Sequence, residues 1–163
     1  MEQKTHTELV KTFTEESLDA QLRKTPCCMD KGEVKFIVRM VLSEMLELCM
    51  TVHSNAAETE AFFKECCDSL DRPKDQDWTL KSEVEVMAEQ YDSFVDAWYY
   101  MLNTAVKKGV DLDRIFHVVH EANMAKRFPD GKFRRREDGK VVKPEGWKEP
   151  NIVGEIENQM GLI

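Results

Sequence analysis

The sequence predicts an all-α fold, a four- or five-helix bundle carrying a basic, partly extended C-terminal segment. Three observations point there. Glycine and proline are scarce, 7 and 5 in 163 residues, and the prolines sit mostly in connectors. Apolar residues recur at helical rather than alternating spacing over long stretches. Strand-like patterning is confined to one short run near the C-terminus. A chain of this length suits one domain of ordinary size. Its 42% hydrophobic and 33% charged residues fit a soluble globular protein.

The elements follow in order. Residues 5–18 read as a short amphipathic helix with Leu9, Val10 and Phe13 on one side. Residues 19–32, with Pro26 and Gly32, form a connector. From Glu33 to about His53 runs a helix apolar nearly all round (Val34, Phe36, Ile37, Met40, Val41, Met45, Leu48, Val52), the expected central helix of a bundle. Residues 56–70 form another amphipathic helix, and the polar connector DRPKDQDWT follows. A long helix runs from about Leu80 to Lys108, with Gly109 at its C′ position and Lys107 and Lys108 complementing the dipole. Asp111 is a natural N-cap for a helix over roughly 112–126. In the tail, KFRRREDGKVV suggests a small hairpin around Asp-Gly. The chain thus divides into a helical body, 1–127, and a C-terminal segment, 128–163. No internal repeat or low-complexity tract is visible.

Charge is unevenly spread. The formal net charge is −8 and the pI about 5.1, which argues against broad nucleic-acid or membrane-surface binding. Yet Lys126 to Lys148 holds nine basic against four acidic residues, a net +5, leaving −13 for the remainder. Five cysteines (Cys27, Cys28, Cys49, Cys66, Cys67) are odd in number and lack CxxC spacing. With no apolar leader at the N-terminus, they read as reduced thiols in a cytoplasmic protein. No stretch approaches the ~18 apolar residues of a membrane span.

Two acidic pairs carry the chemistry. Glu44 and Glu47 lie inside the apolar run FIVRMVLSEMLELCMTV, and Asp92 and Asp96 inside EVEVMAEQYDSFVDAWYYML. Carboxylates at i,i+3 or i,i+4 share a helix face. Two like charges at 4 Å cost about 4 kcal/mol at an effective dielectric near 20. Several such terms strain a domain stable by ~5–15 kcal/mol, so converging carboxylates need protons, basic partners or a metal. Four oxygen donors on two facing helices suit magnesium. Glu85 and Glu89 continue the second face at helical period, as a solvated stripe would. Asn103, Tyr99 and Tyr100 extend it and suggest that its C-terminal half points inward.

These residues resemble the MazG-like, all-α nucleoside triphosphate pyrophosphohydrolase superfamily, and most closely its phosphoribosyl-ATP pyrophosphohydrolase-like branch. The family's Glu-Glu-x-x-Glu block reads SEMLE here, with Ser43 at the first acid and Glu44 and Glu47 at the others. Its Glu-x-x-Asp motif falls on Asp96, with Ser93 in place of the glutamate. Asp92 can supply the missing carboxylate, and Glu89 is the alternative in a second register. A third block, GVDLDRIFHVVHEANMAKRFPDGKFRRREDGKVVKPEGW, is similar to the branch at Gly109–Asp111, at His120, Asn123, Met124 and Lys126, and at the two Asp-Gly-Lys runs. The resemblance spans about residues 8–151. Ser43 and the 44-residue interval from Glu47 to Asp92 are its departures.

The resemblance implies a MazG-like bundle whose body is catalytic and whose basic segment packs on or near the active site. It implies cleavage of a nucleoside triphosphate between the α- and β-phosphates, giving a monophosphate and pyrophosphate. Glu44, Glu47, Asp92 and Asp96 would hold Mg2+, or Mn2+, with Glu44 as proton acceptor. Lys126 and the arginines Arg134, Arg135 and Arg136 would neutralise the leaving group. Asn123 would bond a phosphate or sugar oxygen, or else cap its helix. Trp98, Trp78, Tyr99 and Phe13 are base contacts or core fillers. His6, His53, His117 and His120 share no ligand spacing, and His117 and His120, at i,i+3 on a helix, read as structural. Self-association as a homodimer or homotetramer is implied, and no nucleic-acid polymer or membrane as partner. Two rivals remain: a phosphoribosyl-ATP pyrophosphohydrolase of histidine biosynthesis, and a catalytically silent helical interaction protein, which Ser43 and Ser93 would motivate.

Overall fold

The computed structural model describes residues 4–18, 22–71, 81–137 and 139–163. Among the described residues six helices run in order: α1 His6–Leu18, α2 Lys31–Met50, α3 Ala56–Asp68, α4 Glu83–Lys107, α5 Leu112–Met124 and α6 Ile152–Gln159. Among the described residues there is no strand, only one antiparallel bridge between Arg135 and Val141. The fold is all-α, as the apolar spacing predicts. No described helix is long and apolar enough to cross a membrane.

Local chemistry sets the ends. Asp30 accepts the Glu33 N–H at 2.8 Å while Glu33 accepts the Asp30 N–H at 2.8 Å, a capping box that starts α2 at Lys31. Gly32 is therefore helical rather than part of the connector. Asn55 caps α3 by accepting from Glu58 N–H. Past α4, Gly109 takes φ +76°, and the Val110 N–H reaches back to the Ala105 carbonyl, the C-terminal motif the sequence predicts. Asp111 caps α5 as expected, accepting from the N–H groups of Asp113 and Arg114. The expected hairpin survives as a minimal turn in which the Arg136 N–H donates to the Lys140 carbonyl and the Val142 N–H to the Arg134 carbonyl. Helix α6 was not expected. Asn151 caps it through Gly154 N–H, immediately after Pro150.

The chain forms two compact units, residues 26–94 and residues 1–25 with 95–163. In the first, α2 packs on α3 and leaves an apolar groove of about 450 Å³, lined by Leu42, Met45, Leu48, Phe62, Phe63 and Leu70 among others. In the second, α5 packs on both α1 and α6. The expectation of a central, covered α2 is not met within one chain. No α2 residue is buried, and Phe36, Val38, Leu48 and Met50 are each at least half exposed. A helix apolar around most of its circumference presents more surface than α3 alone can cover. Likewise every residue from Tyr91 to Met101 is exposed, so the inward-facing half expected for α4 stands open.

Candidate active site

Helix α2 carries Glu44 and Glu47 one turn apart, both exposed. Ser43, where the family motif has an acid, donates its hydroxyl to the Met40 carbonyl at 2.8 Å. Ser93 does the same to Glu89 O at 2.9 Å. Both serines spend their hydroxyl proton on their own helix, and neither supplies the carboxylate of the motif. Asp92 and Asp96 sit at i,i+4 on α4, and neither has a hydrogen bond or ion pair among the described residues. Glu89 differs, because Lys81 pairs with it. Glu85 differs too: Ser82 donates its N–H and hydroxyl to it, and those bonds lower its carboxyl pKa.

The segment ahead of α2 is pinned to α4 in the same unit. Gln90 accepts the Met29 N–H at 2.8 Å and donates to the Met29 carbonyl at 3.0 Å. The Tyr91 hydroxyl donates to Cys27 O at 3.0 Å. These bonds fix residues 27–29 beside the turn of α4 that precedes Asp92, and so fix where α2 begins. Among the described residues, no three acidic, histidine or cysteine side chains form a metal-binding group. The donor chemistry nonetheless fits a hard cation, since all four predicted ligands are carboxylates and none is paired with a cation among the described residues.

In the other unit, α5 and the tail carry the predicted substrate contacts. Asn123 and Lys126 are half-buried, and the Lys126 ammonium donates to Asn123 Oδ1 at 2.7 Å. The Asn123 side chain thus holds a lysine. Burial, then the neighbouring Lys143, pushes the Lys126 pKa down. Arg134 pairs with Asp130 at 2.9 Å and lies 3.9 Å over the Phe128 ring. Arg135 donates to Ser17 O at 3.1 Å, to Ser17 Oγ at 2.9 Å and to Gly139 O, tying the tail to the end of α1. Arg136 closes the tail's turn through its backbone. Trp98 is 41% exposed, and His6 stacks on it at 5.4 Å; His6 stacks in turn on Phe116 at 3.9 Å. An open cavity of about 520 Å³ is lined there by Lys4, His6, Trp98, Asp113, Arg114 and His117. Phe13 packs edge-on against Phe133, as a core filler does. Tyr99 is 70% exposed, and Trp78 lies outside the described residues. Sequence reasoning passed over Lys143 and Trp147. The Lys143 ammonium lies 4.2 Å over the Trp147 ring, and only the tail's Lys-Pro-x-Gly-Trp run hinted at this.

Comparison with known proteins decides the family. The sequence profile described as phosphoribosyl-ATP pyrophosphohydrolase matches residues 7–123. The chain belongs to the phosphoribosyl-ATP pyrophosphohydrolase family. Its fold is also that of a crystal structure of a candidate NTP pyrophosphohydrolase from Exiguobacterium sp. 255-15, with a TM-score of 0.77, 27% identity and 99% of each chain covered. No curated protein matches. The all-α MazG-like fold follows from both similarities, and the family places this chain among hydrolases of phosphoric anhydrides.

Proposed function

We propose that this family member is a magnesium-dependent nucleoside triphosphate pyrophosphohydrolase, cleaving the α–β anhydride to a nucleoside monophosphate and pyrophosphate in nucleotide-pool house-cleaning. One observation favours it over phosphoribosyl-ATP as substrate. The family profile stops at residue 123, whereas the Exiguobacterium protein matches over 99% of both chains. The C-terminal segment therefore has a structural counterpart in a protein described as a candidate NTP pyrophosphohydrolase.

Glu44, Glu47, Asp92 and Asp96 would hold Mg2+, or Mn2+. When bound, the metal supplies charge neutralisation at phosphate oxygens and a more acidic water. Glu44 accepts the proton as water oxygen joins phosphorus and the anhydride P–O bond breaks. Lys126 and at least one of Arg134, Arg135 and Arg136 balance the charge that pyrophosphate carries away. Asn123 orients Lys126, and the open Trp98 face takes the base. On this reading the catalytic body is residues 1–127, with the basic segment 128–163 beside the site.

Self-association as a homodimer or homotetramer belongs to the same proposal. Its support is the apolar surface of α2 and of the middle of α4 that one chain leaves exposed. Five free thiols fit a cytoplasmic setting. The test is pyrophosphate release from a panel of ribo- and deoxyribonucleoside triphosphates and phosphoribosyl-ATP, with magnesium and with chelator. Metal-dependent release from a nucleoside triphosphate is expected. Release from phosphoribosyl-ATP alone would move the chain to histidine biosynthesis, and no release from any substrate would leave a silent interaction protein.

A further inference from the structure

We propose that Lys143 and Trp147 complete, with Lys126, a cradle for the polyphosphate end of the substrate. The inference rests on the nucleotide reading above for the identity of that substrate.

The cradle starts from a turn. The Trp147 N–H donates to the Pro144 carbonyl at 3.1 Å, and Gly146 between them takes φ +77°, the geometry of a type II turn. Any side chain at that glycine would be strained. The turn delivers Trp147 to the end of α5, where its indole N–H donates to the Ala122 carbonyl at 2.8 Å. That bond satisfies an otherwise unpaired carbonyl in the last turn of the helix. The indole is thereby fixed at both its backbone and its ring.

Two ammonium groups use that one ring. Lys143 Nζ lies 4.2 Å and Lys126 Nζ 5.5 Å from its centroid. An aromatic ring attracts a cation, but two cations around one ring also repel each other. Burial first, and Lys143 second, lower the Lys126 pKa. Among the described residues neither charge is well neutralised. Lys126 bonds only the neutral Asn123 oxygen among the described residues. Lys143 has Glu149 at 3.8 Å, with the two side chains 55% and 82% exposed, where an ion pair contributes little. A tail that only needed anchoring would be served by Trp147 and one lysine. Two under-neutralised ammoniums held on a rigid indole suit a ligand that brings several adjacent negative oxygens. Lysines act as point charges toward phosphate, with donors that rotate to meet it. Pyrophosphate and the β,γ end of a triphosphate are such ligands. A single phosphate brings less charge and fewer oxygens to the two ammoniums than pyrophosphate does.

The test is calorimetric titration of the full-length protein with inorganic pyrophosphate, with inorganic phosphate alongside, in metal-free buffer. Wild type should bind pyrophosphate more tightly than phosphate. Lys143→Met should weaken pyrophosphate about tenfold or more, as loss of a charged hydrogen bond does. Lys143→Arg should retain most of the affinity. Trp147→Phe should retain more than Trp147→Leu. Lys107→Met, on the last turn of α4, serves as control. Lys143 is exposed, so its variants should fold, and circular dichroism checks this. Pyrophosphate affinity unchanged in Lys143→Met, or lowered equally in Lys107→Met, would overturn the proposal even if nucleotides are hydrolysed at full rate. Loss specific to Lys143→Met in a protein that hydrolyses no nucleotide would uphold the cradle and sink the enzymatic reading instead.

Discussion

From Asp111 to the C-terminus, polar side chains reach across long intervals of sequence. Gln159 bonds the Asp111 backbone in both directions, Arg114 joins Glu155 and Asn158, and Trp147 bonds Ala122. The middle of α4 is different. Ser93 and Thr104 bond their own helix, while Val95, Tyr99, Tyr100 and Val106 are each at least 65% exposed. Helix α2 is alike, with Ser43 turned inward on itself and Leu48 at 61% exposure. One region is specified by directional bonds that close within the chain. The other is specified by apolar area, which is non-directional and needs something to cover it. All four predicted metal ligands lie in the second region.

The largest effect should come from those ligands. Glu47→Gln and Asp96→Asn are each expected to abolish pyrophosphate release, a loss of order 10³ or more if charge stabilisation at the phosphates collapses. Helical content by circular dichroism should not change. Glu89, already paired with Lys81, is expected to tolerate Gln with most activity kept. A dead Glu89→Gln beside an active Asp92→Asn would reverse the assignment of the α4 ligands.

Covering the open surface comes next. Charges placed on it, Leu48→Glu with Val95→Glu, should convert an assembled protein to the 19.0 kDa monomer in sedimentation. Activity should fall by about 10² or more, since a buried unpaired charge costs several kcal/mol. Val153 on α6 is equally exposed, at 71%, yet belongs to the region that closes on itself. Val153→Glu should leave mass and activity near wild type. If Val153→Glu dissociates the protein and the α2/α4 pair does not, the comparison is inverted.

The two regions were also unequally legible. Helix boundaries followed from local chemistry: Asp111 as N-cap and Gly109 as C′ were readable because caps act within a few residues. The Asp30–Glu33 box was equally local, yet Gly32 beside it drew the boundary two residues late. The acidic pairs could be picked out because i,i+3 and i,i+4 spacing fixes a shared face whatever the tertiary fold. The cover over α2 could not be, since periodicity reports that a face is apolar and not what lies against it. Helix α6 escaped because eight residues after a proline give a weak pattern. The Trp147 cradle escaped because it joins residues 126, 143 and 147 through a turn, and no spacing rule spans that.

A tether in the self-closing region offers a finer test. Arg135 spends its guanidinium on the Ser17 hydroxyl and carbonyl and on the Gly139 carbonyl. Ser17 is only 6% exposed. Arg135→Met should therefore lower stability by about 1–3 kcal/mol, the cost of leaving such acceptors unpaired. KM should stay within about twofold, because uniform binding energy is not what is lost. Denaturant midpoints and steady-state kinetics separate the two. An unchanged midpoint with a raised KM would instead make Arg135 the arginine that meets the phosphates.

The smallest expected effect is a pH slope from α5. Burial, then His117 and Lys4, hold the His120 pKa below its ordinary 6.5, opposed by Glu121. The folded protein therefore prefers neutral His120, while the unfolded chain takes its proton near the ordinary value. Above pH 6.5 both states are neutral and His120 contributes nothing. As pH falls through that value the unfolded chain binds the proton first, so stability drops, and the loss levels off once the folded state protonates too. His120→Gln should remove that part of the slope, and with it a small part of the Tm decline between neutral and mildly acidic buffer. Melting curves of both proteins across that range are the measurement. A slope identical in the two would mean that His120 is protonated as readily in the folded protein as in the unfolded chain, and that this face of α5 is open to water.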